Sequence, residues 1–267
     1  VSRFDSWFPS ISSLSALATP GPAKVFYTAT GDETAYADAG QRALIAFHSL
    51  SETLAKTEAP RRLKGFNLNY HVFAGQHAAL LQAVREHLEA ARIAKLAPVS
   101  ANAYAEIAAG FFTVAIEQIG SSSWRISNRG MLQTIRFDTA EELEVDFQAS
   151  VGVIGQTRHG RALYAALDES VESVSLVLRS LHSVGSHHRG MALVDSRWRI
   201  RNFIRNECLL SFDAMGYGQG EFTWSGAVPT RYEIAASRQG RELWRDFAIA
   251  GVDGRLSFVV PVAAIDP

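Results

Sequence analysis

The residues best placed to do chemistry lie in one stretch, Ala59-Pro60-Arg61-Arg62-Leu63-Lys64-Gly65-Phe66-Asn67-Leu68-Asn69-Tyr70-His71-Val72-Phe73-Ala74-Gly75. A basic approach leads into a short alternation of apolar and polar residues ending in Tyr-His, then into a turn bearing glycine. An imidazole can donate, accept or carry a proton near neutral pH, and the carboxyl end of a strand is where parallel α/β folds expose such groups. Alternation over 66–73 sends Phe66, Leu68, Tyr70 and Val72 to one face and Asn67, Asn69, His71 and Phe73 to the other. The inward face of a barrel strand is normally aliphatic, so amides and an imidazole there point to a solvated cleft. The competing reading is a packed histidine satisfied by hydrogen bonds. Arg61, Arg62 and Lys64 precede the strand, at the wrong end for such a cleft, and read as loop charges.

Asp32-Glu33 follows a β-rich run over 24–28. Adjacent acids at a strand end can bind a metal or sugar hydroxyls, and they also serve as a solvated turn. His71 with His77, or His182 with His187 and His188, would ligate a metal only if the fold delivered a carboxylate. The sequence has no His-x-x-x-His, no His-Glu-x-x-His and no cysteine pair, since Cys208 is its one cysteine. It has no Gly-x-Ser-x-Gly nucleophile elbow and no Walker or dinucleotide-binding glycine pattern. Trp198, Tyr217, Trp224 and Trp244 suit sugar stacking where exposed and core packing where not; core packing is the favoured reading.

The elements that must position these groups fall into two parts. Up to about residue 110, helix and strand signals alternate: a strand over 24–28, a helix over 38–55, the strand over 66–73 and a helix over 78–94. Leu80, Leu81, Val84, Leu88 and Ala91 share one side of that helix, and a shorter helix opens at Pro98 and Ser100 and closes at Gly110. From residue 111 the pattern changes to short β runs separated by turn residues, at the spacing of a sandwich or jelly roll. The expected organisation is an α/β part over 1–110 and an all-β part over 111–267. Only two or three strands are visible in the first part, too few for a closed barrel or a doubly wound sheet. The expectation is therefore the later half of an α/β domain.

Composition narrows the function classes. The sequence of 267 residues is 47% hydrophobic and 20% charged, which is globular rather than disordered. A net charge of −1 gives no global electrostatic case for nucleic acid or an anionic membrane. The local run Arg197, Arg199, Arg201, Arg205 reads as a solvated strand face. No apolar run reaches the roughly 18 residues of a membrane span. The sequence starts at Val1 without a signal-peptide pattern, and the expectation is a piece of a longer chain.

The segments 59–64 and 67–75 resemble the Pel exopolysaccharide deacetylases. Their pattern runs Ala-Pro-Arg-Arg-Leu-Lys, a short apolar strand, Tyr-Tyr-His-Phe-Tyr-Ser-Gly, then a helix. The likeness continues through Ala78-Ala79-Leu80-Leu81-Gln82-Ala83-Val84-Arg85, Pro98-Val99-Ser100-Ala101-Asn102-Ala103-Tyr104, Ser123-Trp124-Arg125-Ile126, Leu132-Gln133-Thr134-Ile135-Arg136 and Ser150-Val151-Gly152-Val153-Ile154-Gly155. It covers 1–180 loosely and 59–137 best. The resemblance implies a metal-dependent polysaccharide deacetylase, in which an Asp and two His hold a divalent metal, a second Asp acts as base and a His protonates the leaving amine. His71 matches the Tyr-Tyr-His position, as general acid or substrate contact, with Tyr70 beside it and Asn69 where the family often has Tyr. Asn67, Asp32 and Glu33 complete the expected substrate-binding set.

The family's metal-binding aspartate and paired histidines have no counterpart here and are expected upstream of Val1. The chain by itself is thus expected to hold no cofactor and to lack deacetylase activity. The implied architecture is the last section of a barrel-like deacetylase domain followed by a jelly-roll-like β-sandwich. The implied partners are a polysaccharide and the rest of the enzyme, with no nucleic acid and no membrane span, in the periplasm or outside the cell. The alternative is a non-catalytic carbohydrate-binding or scaffold protein of exopolysaccharide biosynthesis.

Overall fold

Among the described residues strands dominate, helices are few, and no sheet closes into a barrel. A computed structural model describes residues 2–3, 16–18, 24–27, 29–32, 50–52, 55, 64–182, 190–206 and 209–261. The chain divides into two compact units, one of Val1–Leu96 with Ser100–Ala109 and one of Ala97–Val99 with Gly110–Pro267. Most of the helix expected over 38–55, and Glu33, Arg61, Arg62, His187, His188 and Cys208, lie outside the described residues. No described helix is long and apolar enough to cross a membrane.

In the first unit, β1 (Ser2–Arg3), β2 (Ala16–Ala18) and β3 (Lys24–Tyr27) form a small sheet in the order β1-β3-β2. A separate pair, β4 (Ala29–Asp32) and β5 (Phe66–Asn69), runs parallel. The strand expected over 66–73 is therefore shorter. After Asn69 the chain leaves the ladder, the Ala74 amide bonds back to the His71 carbonyl at 3.0 Å, and Val72–Gln76 forms a 3-10 turn. Val72 is almost wholly exposed instead of sharing an apolar face with Leu68.

Helix α1 (Ala78–Ile93) follows. Its buried residues are Leu80, Ala83, Val84 and His87, an i, i+3, i+4, i+7 stripe. The stripe packs with Ala74 and Leu68. It is rotated from the expected one, because alanine and histidine take the seam while Leu88 is half exposed. Helix α2 (Ala101–Thr113) starts where Ser100 Oγ accepts the Ala103 amide at 3.2 Å. It runs through Gly110 instead of stopping there. A Cβ on Gly110 would come within 2.0 Å of the Arg129 carbonyl oxygen, so glycine is required by a close approach and not as a cap. The β runs expected from residue 111 consequently begin later, at β6 (Ala115–Gly120).

The second unit holds two larger sheets. One is four-stranded, in the order β6-β7-β12-β9, with β7 (Ser123–Ser127), β9 (Leu143–Val145) and β12 (Val174–Ser180). The other is six-stranded, in the order β19-β16-β13-β10-β11-β8. Its strands are β8 (Thr134–Phe137), β10 (Val153–His159), β11 (Ala162–Leu167), β13 (Ala192–Ser196), β16 (Gly220–Ser225) and β19 (Leu256–Val260). Two antiparallel ribbons, β14 (Arg199–Arg205) with β15 (Leu210–Met215) and β17 (Arg231–Arg238) with β18 (Arg241–Ile249), complete it.

The main core gathers Ile154, Leu193, Trp198, Phe222, Trp224 and Leu256, with Phe203, Phe212, Tyr232 and Trp244 of the ribbons packed against it. Strand β18 is not signalled by the sequence. Arg241, Glu242, Arg245 and Asp246 interrupt its alternation, and Glu233 and Glu242 pair with Arg245 across the ribbon and along it.

One buried cation ties the two sheets together. Arg129 is 2% exposed and sits in the turn by which the chain passes from β7 to β8. Its guanidinium donates to the carbonyls of Leu132 at 2.6 Å, Asp168 at 2.5 Å and Val171 at 2.7 Å. Residues 168–171 are the return crossing, from β11 to β12. Asp168, also buried, accepts from the amides of Ser170, Asn202 and Phe203 at 2.9, 3.1 and 2.8 Å and from the Ser170 hydroxyl at 2.7 Å. It thereby fixes the bulge in β14 where Asn202 takes a positive φ of 53°.

Candidate functional site

The parallel pair β4·β5 is the element that brings the candidate residues together. Its register sets Ala29 against Phe66, Thr30 against Asn67, Gly31 against Leu68 and Asp32 against Asn69. Asp32 thus closes β4 beside the last residue of β5, and Tyr70 and His71 follow immediately. The two groups of candidates, separate in sequence, share one carboxyl end of a parallel pair. In open parallel sheets that end is where ligands are held. Asp32 belongs to a strand of its own and not to a turn, as the spacing suggested.

Around this end Asn67 is half-buried, Asn69 and His71 are exposed, and Tyr70 is 49% exposed. His71 has extended backbone, φ −98° and ψ 159°, at the start of the 3-10 turn, and its side chain does not cap that turn. The position comprises two amides, a half-exposed phenol and an imidazole, with a carboxylate-bearing residue on the adjoining strand. These groups suit hydroxyl and acetamido recognition: the amide supplies donors and an acceptor, and the ring a stacking surface.

Behind the site the packing is polar as well as apolar. Lys64 is buried, 4% exposed, and so is not an ordinary loop charge. The Tyr104 hydroxyl accepts the Gly65 amide at 2.9 Å, and burial pushes its pKa above the ordinary tyrosine value. His87, buried on α1, has Nδ1 3.2 Å from Ser51 Oγ.

The other candidates are dispersed. His77 caps α1 and is exposed, and His182 is exposed beyond β12. Among the described residues no group of three or more His, Cys, Asp or Glu side chains comes together to hold a metal. Trp198 and Trp224 are buried, 7% and 1% exposed, and belong to the core; Trp244 packs against it and Tyr217 is exposed. The arginine run is not a solvated face. Arg197 lies 3.3 Å from Glu221 and Arg199 3.6 Å from Glu169, both side chains less than one-fifth exposed. Arg205 stacks over Phe203 and Phe147, where burial lowers its pKa. Only Arg201, paired with Asp213 at 3.6 Å, is half exposed.

The sequence reading missed Arg129 and Asp168. Arg129 is a lone charge in a turn sequence and Asp168 stands beside Glu169 in another, and neither carries a signal of burial. No family model matches this chain, and neither a curated protein nor a solved structure matches it.

Proposed function

We propose that this chain binds an N-acetylated exopolysaccharide at the carboxyl ends of β4 and β5, as the C-terminal portion of a polysaccharide deacetylase. The observation that carries the reading is the parallel register that brings Asp32 beside Asn69, one residue before Tyr70-His71. In this reading Asn67 and Asn69 bond sugar hydroxyls and the acetamido group, Tyr70 stacks on a sugar ring, and Asp32 and Glu33 take further hydroxyls. His71 donates the proton that the amine nitrogen needs as the C–N bond breaks. The first unit is then the end of a barrel-like deacetylase domain and the second a jelly-roll-like sandwich, working in the periplasm or outside the cell. The described residues do not fit the divalent metal that such enzymes use, and no step through it is assigned to them.

The test is retardation of the full chain in native gels cast with an N-acetylated glucosamine polymer. Wild type is retarded, and Asn69→Ala, Tyr70→Ala and His71→Ala each weaken retardation about tenfold, the loss of one stacked ring or hydrogen-bonded group. A triple variant retarded as strongly as wild type removes the site and favours polymer binding by the second unit.

A further inference from the structure

Two of the three methionine sulfurs of this protein lie against one guanidinium. Arg199 opens β14. Its Nη1 is 3.3 Å from Met131 Sδ, in the turn before β8, and its Nη2 is 3.2 Å from Met215 Sδ, the cross-strand partner at the end of β15. The nearest carboxylate, Glu169, is 3.6 Å away, too far for a hydrogen bond, and its other oxygen accepts from Gln133 Nε2 at 2.9 Å. A cation less than one-fifth exposed therefore spends donors on thioethers, the weakest acceptors among polar side-chain atoms. That arrangement is poorly matched as it stands and well matched after one chemical change. A sulfoxide oxygen is a strong acceptor, and here its donor is already in place.

We infer that Met215 and Met131 form an oxidation site for hydroperoxides, with Arg199 as the group that receives the product oxygens. A sulfur lone pair attacks the terminal peroxide oxygen, an S–O bond forms and the O–O bond breaks. The oxygen now on sulfur loses its proton, and the departing alkoxide or hydroxide takes that proton up and leaves as alcohol or water. The sulfur is oxidised by two electrons and the peroxide is reduced by two. Met215 is 52% exposed and reacts first; Met131, half-buried, follows. Oxidation of a packed methionine ordinarily loosens structure, because it puts a polar group where none is satisfied. At this place it ties the end of β15 and the turn before β8 to β14. Met191, which packs against the apolar core, is the internal contrast.

The experiment is graded treatment of the full chain with hydrogen peroxide, with peptide mass spectrometry to locate the added oxygen and thermal melting before and after. Met215 gains oxygen first and Met131 second, both ahead of Met191. The melting temperature of the doubly oxidised wild type rises by about 2–4 °C, and methionine sulfoxide reductase reverses the rise. In Arg199→Gln the same oxidation lowers the melting temperature, and in Met215→Leu the rise is lost, so the conclusion survives poor folding of either variant. Oxidation of Met191 ahead of Met215, or a fall in wild-type melting temperature equal to that in Arg199→Gln, overturns the inference.

Discussion

Replacing Arg129 by methionine tests how the two sheets of the second unit are held together. Methionine nearly matches the apolar stem, so the change deletes the guanidinium while leaving little void. Three carbonyls, those of Leu132, Asp168 and Val171, lose a charged donor at 2.5–2.7 Å. A hydrogen bond to a charged group contributes about 1.5–3 kcal/mol, which sets an upper range of about 5–9 kcal/mol for three. Burial of the cation opposes this. Desolvation lowers the Arg129 pKa, and only the nearby carboxylates of Asp168 and Glu169 push it back. The expected net loss is therefore about 3–5 kcal/mol, the range seen when one partner of a buried charged network is removed. Urea unfolding followed by tryptophan fluorescence measures it, because Trp198 and Trp224 are core residues of the same unit. The midpoint should fall with the slope unchanged. Arg129→Lys, which keeps the charge but not the fork, should recover less than half of the loss. A loss below about 1 kcal/mol for Arg129→Met would show that water replaces the guanidinium at no cost and that the clamp contributes nothing.

Three further outcomes follow from the same geometry. Asp168→Ala removes the acceptor of three amides and a hydroxyl and should cost about 2–4 kcal/mol by urea unfolding; with Arg129→Met in a double-mutant cycle the two losses should not add, since the residues share one network. Gly155→Ala puts a Cβ 2.0 Å from the Leu193 carbonyl oxygen between β10 and β13 and should cost about 2 kcal/mol or more, whereas Gly240→Ala, with nothing nearby and a φ of +78°, should cost about 1 kcal/mol. Tyr104 has a folded pKa raised above the unfolded value of 10.0, so its contribution is fully present below pH 10 and is lost as pH rises toward the folded value; alkaline melting curves should show a smaller loss above pH 10 in Tyr104→Phe than in wild type.

The β runs from residue 123 onward were legible because β-branched and aromatic residues alternate between turn-forming ones. Strand β18 was not, since its charges are satisfied within the ribbon by Glu233, Arg245 and Glu242 and leave no period-two pattern. On α1 the period was clear but the phase was not. Leucines mark two overlapping stripes, and the choice fell on the one with Ala83 and His87, whose small or planar side chains allow close packing. At the candidate site, the sequence offered Asp32 and His71 as separate strand ends. Their shared position depends on the pairing of β4 with β5, a long-range contact that no local pattern encodes. Arg129 and Asp168 were invisible for a related reason, because the partners that bury them, the carbonyls of Asp168 and Val171 and the amides of Asn202 and Phe203, lie more than 30 residues away.

The central claim is that the end of the β4·β5 pair touches an N-acetylated sugar chain. The most direct measurement is NMR of the histidine ring protons of the full chain during titration with N-acetylglucosamine oligomers, the His71 signal being assigned by its loss in His71→Ala. The His71 signal should shift and saturate while that of His182, exposed beyond β12 in the other unit, stays still. A His71 signal that does not move, or one that moves no more than that of His182, contradicts the claim.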